Sequence, residues 1–269
     1  MDHVILVCPR RAIVLAAGSG SRLWPYTKDL PKTLLNVGNF TIFDRIAICL
    51  HEVGIEEIVV VSGHTSSRLE SHIANNTNKL INNPQLQFKI IKNDHLELGN
   101  IYSLWLAKHE MKQDFLLLDS DVVFHRGILD LLTSDQHDSA IVFDGARKSL
   151  GLEQSKVIIS DAQMVKDIGK TIHPLDGDGE YVGIMKISAS VAKHVLHMVH
   201  GLLAAPLFPQ YYTHPFRLVA KESDCFFACS TEGLPWIEID TIEDLNYATS
   251  MVIPLLEKRS EIIELNNLS

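Results

Sequence analysis

The sequence predicts an α/β fold: a three-layer α/β/α sandwich around a mostly parallel mixed sheet. Three observations lead there. Short, near-continuous apolar runs alternate with segments of helical period through the first half, and strands apolar along their whole length belong to a sheet covered on both faces. The second half carries a hairpin pattern, which adds antiparallel strands. No linker rich in Pro, Gly or Ser, no low-complexity tract and no internal repeat divides the chain. One domain over residues 1–269 is therefore expected, with halves at about 11–145 and 146–240 and a closing helix over about 241–269.

The elements follow in order. Ala12 to Ala17 (AIVLAA) reads as a buried strand. Thr41 to Val53 has helical spacing, with Ile42, Ile46 and Leu50 on one face and Gly54 as the stop. Glu57 to Ser62 is a second strand, Ser66 to Ala74 a short helix, and Gln87 to Lys92 an alternating strand. Asn100 to Glu110 is helical, with an N-cap as one of two compatible roles for Asn100. Phe115 to Phe124 is apolar except for Asp119, Ser120 and Asp121, and Ser139 to Phe143 is another strand. Lys156 to Ser160 and Met164 to Ile168 form the hairpin around a turn at 161–163. Gly179 to Ser188 is a strand, Ser190 to Leu203 a helix, and Phe226 to Ser230 and Trp236 to Asp240 are strands. Thr241 then N-caps the last helix, with Glu243 and Asp244 in its first turn.

Composition narrows the function. The 269 residues are 46% hydrophobic and 21% charged, ordinary for a globular chain that buries a sizeable core. No apolar run reaches the roughly 18 residues of a membrane span. The start lacks the basic region and cleavage site of a signal peptide, so a cytoplasmic location is expected. A net charge of −9 argues against nucleic-acid and membrane-surface partners, which need a basic footprint. It leaves room for an anionic substrate held by a few local cations and a metal. Cys8, Cys49, Cys225 and Cys229 have no zinc or CxxC spacing, in keeping with reduced thiols.

The most informative segment is Leu15 to Leu35, LAAGSGSRLWPYTKDLPKTLL, directly after a buried strand. Gly18 and Gly20 remove side chains where a backbone passes close to something. Successive N–H groups from Leu15, Ala16, Ala17, Gly18, Ser19, Gly20 and Ser21 can cradle phosphate oxygens. Arg22 adds a forked cation, and Lys32, after the rigid Leu30–Pro31 step, adds a point charge. Such a loop suits a triphosphate attacked at its α-phosphorus, with the cations stabilising pyrophosphate as it leaves. It is not a P-loop, because no GKS or GKT follows, and Leu23 stands where a dinucleotide fingerprint needs its third glycine.

The string closely resembles the signature loop of the nucleotidylyltransferases that make nucleotide-activated sugars and alcohols, LAAGxGxRLxPxTxxxPKxLL, and matches it at every fixed position. The resemblance covers nearly the whole chain, from about Arg11. It implies a Rossmann-like fold of the nucleotide-diphospho-sugar transferase type, a nucleotide-binding first half and an acceptor-binding second half. It also implies phosphate contacts from Gly18, Gly20 and Arg22, with Lys32 on the reacting phosphates; Arg22 and Lys32 are the implied catalytic residues. The implied metal ligands for Mg²⁺ are Asp121 in LLLDSDVVF and Asp240 in WIEIDT, with Asp119 and Glu238 beside them as further candidates. Mg²⁺ wants a few carboxylates, waters and phosphate oxygens, which two strand-end carboxylates at a phosphate loop would provide.

Asn93 to Leu106, NDHLELGNIYSLWL, looks like the branch that uses CTP with phosphocholine, inositol phosphate or 2-aminoethylphosphonate. There Asn93 and Asn100 would meet the pyrimidine edge and Ser103 would lie in the first helical turn. Candidates for the acceptor pocket are Glu153, Lys156, Lys170, Glu180, Tyr181 and Trp236. Lys156 or Lys170 would hold the acceptor phosphate. Glu180 would face an ammonium group, and Tyr181 or Trp236 would offer a π-face. The lack of a cluster of several aromatics departs from a quaternary-ammonium cage and leaves aminoalkyl and polyol acceptors open. A homodimer is a candidate assembly.

Three other readings compete. A metal-dependent glycosyltransferase would explain Asp119-Ser120-Asp121 but has no use for the pyrophosphate-expelling loop. A sugar-1-phosphate nucleotidylyltransferase fits Trp24–Pro25 but not NIYSLW. A non-catalytic nucleotide sensor on the same fold would not need Arg22, Lys32, Asp121 and Asp240 together.

Overall fold

The structure is a computed structural model that describes residues 8–146, 150–205 and 211–257. Its strands are β1 (Arg11–Ala16), β2 (Asn36–Val37), β3 (Phe40–Thr41), β4 (Glu57–Ser62), β5 (Gln87–Lys92), β6 (Phe115–Asp119), β7 (Val122–Phe124), β8 (Ala140–Asp144), β9 (Lys156–Ile159), β10 (Val165–Gly169), β11 (Gly179–Ile187), β12 (Phe227–Ser230) and β13 (Trp236–Glu238). The helices are α1 (Ile42–Glu52), α2 (Ser66–His72), α3 (Asn78–Ile81), α4 (Asn100–Leu106), α5 (Gly127–Ser134), α6 (Ala189–Leu203), α7 (Thr213–Glu222) and α8 (Ile242–Tyr247).

The main sheet runs β10-β9-β11-β6-β1-β4-β5, with β8 and β12 extending it beside β11. β1, β4, β5 and β6 are mutually parallel neighbours, and β12 runs parallel to β8. β11 is antiparallel to β6, β8 and β9, and β9 to β10, so the sheet is mixed but mostly parallel in its nucleotide half, as the sequence predicts. Strands from both halves of the chain share this one sheet.

The apolar runs are continuous because their two sets of side chains enter two different cores. Ala12, Val14 and Ala16 of β1 and Leu116 and Leu118 of β6 face one cluster, under α1, α2, α5 and residues Ala248 to Leu256. Ile13, Leu15, Phe115 and Leu117 face the other, under α4, α6 and α7. Burying each such Val, Leu, Ile or Phe side chain contributes roughly 1.5–3 kcal/mol, which sets the register of the central strands. On α1, the predicted stripe of Ile42, Ile46 and Leu50 is buried, and Thr41 caps the helix by accepting from the Asp44 N–H.

Several boundaries differ from expectation. The short helix predicted over 66–74 continues through a π-turn at Ile73–Thr77 into α3. Phe115–Phe124 is two strands, because the chain leaves the sheet at Asp119 and returns as β7 in a separate ribbon with β13. α5 and α7 were not expected. The closing helix is interrupted by a π-turn at Ala248–Val252, and its predicted residues 258–269 lie outside the described ones. No described helix is long and apolar enough to cross a membrane.

Chain order places the site. After β1 the chain steps outward to β4 and β5, then returns to β6 on the other side of β1. The sheet order thus reverses between β1 and β6. In open α/β sheets the crevice beyond the carboxyl ends of the strands at such a point is where ligands bind.

Candidate active site

The segment after β1 lies at this switch point. Gly20 is left-handed (φ 60°), and its carbonyl accepts a hydrogen bond of 2.7 Å from the Thr27 hydroxyl. A β-carbon there would lie 3.1 Å from Lys32 Cβ and 3.2 Å from Thr27 Cγ2, so the protein itself requires this glycine. Gly18 differs: a β-carbon there meets no atom of the other described residues within 4 Å, chain neighbours aside.

Lys32 follows Pro31 in a short 3₁₀ turn that aims it back at the strand ends. Its ammonium makes ion pairs of 2.7 Å with Asp121 Oδ2 and 2.7 Å with Asp240 Oδ1. Arg22, more exposed, reaches Asp240 Oδ2 at 2.8 Å. Burial alone would lower the pKa of Lys32, but Asp121 and Asp240 override it and raise it, so the lysine stays charged. Burial pushes Asp240 upward, and Lys32, Arg22 and Lys170 more than reverse this, so it ionises below the usual carboxylate range.

The two acidic segments meet through backbone pairing. β13 runs antiparallel to β7, with Glu238 opposite Val122, and the Ile239 N–H donates to the Asp121 carbonyl at 2.9 Å. This register sets Asp121, Glu238 and Asp240 side by side, one ligand atom of each within 4.8 Å of the others. Asp240 is further fixed by a capping box. Asp244 Oδ2 accepts from the Asp240 and Thr241 amides at 3.0 and 2.8 Å, while Thr241 Oγ1 accepts from the Asp244 N–H.

The residues present fit a divalent cation. Asp121 Oδ1 is buried with no hydrogen-bond partner among the described residues, as is Thr33 Oγ1 nearby. Burial, then the charges of Asp121 and Asp240, push Glu238 up to about 8, the mark of a carboxyl crowded by like charges. A hard cation with oxygen ligands would relieve both. Asp119 is not in this cluster: its Oδ2 accepts from the Tyr212 hydroxyl at 2.8 Å, and burial followed by the Asp121 charge raises its pKa well above normal.

Two adjoining cavities complete the crevice. One of about 100 Å³ lies between Leu15–Gly18, Lys32, Thr33 and Asp119–Asp121. The other, about 250 Å³, is lined by Ala17, Gly18, Ser19, Asn93, Leu96, Gly99, Asn100, Ser103 and Tyr211. They share Ala17, Gly18, Asn100 and Ser103. A larger concavity of about 890 Å³ sits at the β5 edge, lined mainly by asparagines and apolar residues, and holds none of these cations and carboxylates; its charged lining residue is Glu70. The chemistry therefore points to the smaller pair.

Some predicted residues carry other loads. Asn100 is not an N-cap; Gly99 holds that position, and Asn100 Oδ1 accepts from the Tyr212 N–H at 2.7 Å. Asn93 is buried, donating to Ser103 Oγ at 3.0 Å and accepting from the His95 N–H, so it shapes the wall of the larger cavity. Lys156 is buried, and its ammonium donates to the carbonyls of Gly151, Leu152 and Gln154, which corrects its reading as a phosphate ligand. The Tyr181 ring lies in the core under α6 and α7, with its hydroxyl 2.8 Å from Tyr212, so it offers no open π-face. Trp236 Nε1 donates to Asp144 Oδ2 at 2.9 Å. Glu180 is buried and Glu153 is exposed. Lys170 sits at the crevice, its ammonium 5.2 Å from the centroid of the Tyr211 ring and its charge felt by Glu238 and Asp240.

Tyr211, Tyr212 and Gly183 escaped sequence reasoning. The tyrosines arrive from just before α7, far along the chain, and no local spacing marks them. Gly183 could have been noticed as the glycine inside the apolar β11 run.

Comparisons with known proteins identify the family and the fold. The Nucleotidyl transferase family profile matches residues 11–149. The chain is 26% identical over 254 residues to the CTP:phosphoglutamine cytidylyltransferase of Campylobacter jejuni, covering 87% of this chain and 97% of that protein. It is 25% identical over 249 residues to the bifunctional IPC transferase and DIPP synthase of Aquifex aeolicus, 90% of this chain but only 51% of that relative, so it spans about half that relative's length. The inositol-1-phosphate CTP transferase from T. maritima superposes with a TM-score of 0.74 at 24% identity, over 94% of this chain and 96% of that one, which shows a common fold. With the family profile covering more than half its length, the chain belongs to the nucleotidyl transferase family.

Proposed function

We propose that this nucleotidyltransferase moves CMP from CTP to a small phosphorylated alcohol, such as phosphocholine, or to 2-aminoethylphosphonate, releasing pyrophosphate. One observation carries the reading. Lys32 is ion-paired to both Asp121 and Asp240 at the switch point, directly beside the glycine loop and the two joined cavities. The choice of CTP draws on the relatives, whose names include cytidylyltransferases for phosphoglutamine and choline phosphate.

In this reading the loop amides from Ala16 to Ser21 receive the triphosphate, and the larger cavity takes the base. An oxygen of the acceptor phosphate attacks the α-phosphorus in line, and the bond from that phosphorus to the bridging oxygen of the β-phosphate breaks. Pyrophosphate leaves with the electron pair. The nucleophile is already anionic, so no general base is needed, and orientation and charge dominate. Arg22 and Lys32, held by Asp240, keep positive charge at the loop as negative charge builds on the leaving group. Asp121, Glu238 and Asp240 would hold Mg²⁺, which supplies charge neutralisation and alignment of the α-phosphate. Lys170 would hold the acceptor phosphate, a reading supported by its position near Tyr211, Glu238 and Asp240.

A pyrophosphate-release screen with Mg²⁺ tests this, crossing CTP, UTP, GTP, ATP and dTTP with phosphocholine, 2-aminoethylphosphonate, inositol phosphate and glucose 1-phosphate. Release with CTP and an alcohol phosphate or phosphonate is expected. Release with glucose 1-phosphate instead would move the protein to the sugar-activating enzymes, and no release from folded, nucleotide-binding protein would make it a sensor.

A further inference from the structure

The DSD segment offers two carboxylates, yet only Asp121 joins Glu238 and Asp240. What keeps Asp119 apart is visible. Its Oδ2 is held on one side by the Tyr212 hydroxyl at 2.8 Å. On the other side lies Gly183, where a β-carbon would come within 2.9 Å of that same oxygen. Gly183 has φ 87° inside the irregularity of β11 between Tyr181 and Met185. Tyr181, on the same irregular stretch, places its hydroxyl 2.8 Å from that of Tyr212 and so fixes the direction of the tyrosine pair. Tyr212 has a second attachment, since its backbone N–H donates to Asn100 Oδ1, and Asn100 lines both cavities. The preceding Tyr211 lines the larger cavity and carries Lys170 over its ring.

We infer that Tyr212 is a positioning residue that pins Asp119 outside the cation cluster, so that Asp121 alone represents this segment there, and that ties this arrangement to the nucleotide pocket through Asn100. The inference rests on the reading of Asp121, Glu238 and Asp240 as a metal centre. The number of carboxylates offered to a hard cation sets its affinity and leaves or removes room for substrate oxygens, so holding Asp119 away fixes both.

The test uses the full-length protein and Mn²⁺ as the probe. Metal binding is measured by titration without substrates, alongside kcat and the KM for CTP with whichever acceptor the screen identifies. Tyr212→Phe removes one oxygen and keeps the N–H held by Asn100. It frees Asp119 to join the cluster, and is expected to tighten Mn²⁺ binding about tenfold and to lower kcat by a similar factor as the extra carboxylate displaces a phosphate oxygen, with the KM for CTP within about twofold. A merely structural tyrosine would lower the melting temperature and leave Mn²⁺ affinity and kcat unchanged, and that result overturns the inference. Should Tyr212→Phe not fold, Tyr181→Phe removes the second hydroxyl while leaving Tyr212 in place. A severalfold gain of Mn²⁺ affinity is expected, and an unchanged affinity overturns the inference equally. If the wild-type protein binds no Mn²⁺ and turns over nothing, the metal-centre reading falls as well. Wild-type binding with an unaffected variant removes only the role of Tyr212.

Discussion

The two halves of the molecule spend their polar residues differently. Around the loop of the first half, polar and charged groups converge on open space: Lys32 and Arg22 meet Asp240 from the end of the second half, and Thr33 Oγ1 and Asp121 Oδ1 are buried beside a cavity without hydrogen-bond partners among the described residues. In the second half, most of the expected acceptor residues are consumed by the fold. Lys156 closes its own loop through three carbonyls, Tyr181 is core, and Trp236 is bonded to Asp144. A phosphate receptor built from a backbone loop leaves its donors pointing outward, whereas a strand side chain is first claimed by its neighbours.

The largest effects should come from the convergent half. Lys32→Ala and Asp121→Ala are each expected to reduce pyrophosphate release by about three orders of magnitude, in keeping with the loss of a fixed charge or a metal ligand at the reacting phosphate. Lys32→Met should also lower stability by about 2 kcal/mol, because Asp121 and Asp240 lose their shared cation, less than for a fully buried pair. Added Mg²⁺ should recover part of that loss in a melting experiment. Near-normal turnover in either alanine variant would remove that residue from the mechanism.

Two lysines then sharpen the comparison between halves. Lys170→Ala should raise the KM for the acceptor about tenfold, a loss of about 1.4 kcal/mol, and leave the KM for CTP unchanged. Lys156→Met should do the reverse: destabilise by about 1–3 kcal/mol through three carbonyls left without their donor, with both KM values retained. If Lys156→Met changed the acceptor KM and Lys170→Ala did not, the two assignments would have to be exchanged.

The two glycines make the same contrast within one loop. Gly20→Ala puts a side chain at φ 60° against Lys32 and Thr27, and should cost about 1–2 kcal/mol of stability. Gly18→Ala should leave the melting temperature unchanged, since nothing among the described residues opposes its β-carbon, and should weaken CTP binding. A Gly18→Ala variant that melts early but binds CTP normally would show that the loop serves the fold at both positions.

Legibility in the sequence follows the same division. The strands were readable because burial writes itself into residue order: two-sided burial makes Glu57–Ser62 an apolar run, the edge strand Gln87–Lys92 alternates instead, and both match residue for residue. The phosphate loop was readable because its chemistry sits within 21 consecutive residues, Leu15–Leu35. The meeting of Asp121 with Glu238 and Asp240 was anticipated only through family resemblance, since the pairing of β7 with β13 spans more than a hundred residues. Tyr212 was invisible, because its role depends on where α7 begins in space. Lys156 was misread because strand period gives a side chain's face but not which carbonyls wait there.

The smallest predicted effect lies at the junction of the two halves. Asp244 caps α8 and simultaneously accepts from the Asp240 amide, so the helix start holds a charged site residue in place. Thr241→Ala removes the hydroxyl that accepts from the Asp244 N–H while leaving the backbone amides that bind Asp244 Oδ2. It should cost about 1 kcal/mol in chemical denaturation, as for other lost helix caps, and lower kcat only a few-fold. Asp244→Ala removes the anchor itself and should lower kcat further at a similar loss of stability. Equal kcat in the two variants would mean that helix stability, and not the anchoring of Asp240, is what this cap contributes to the reaction.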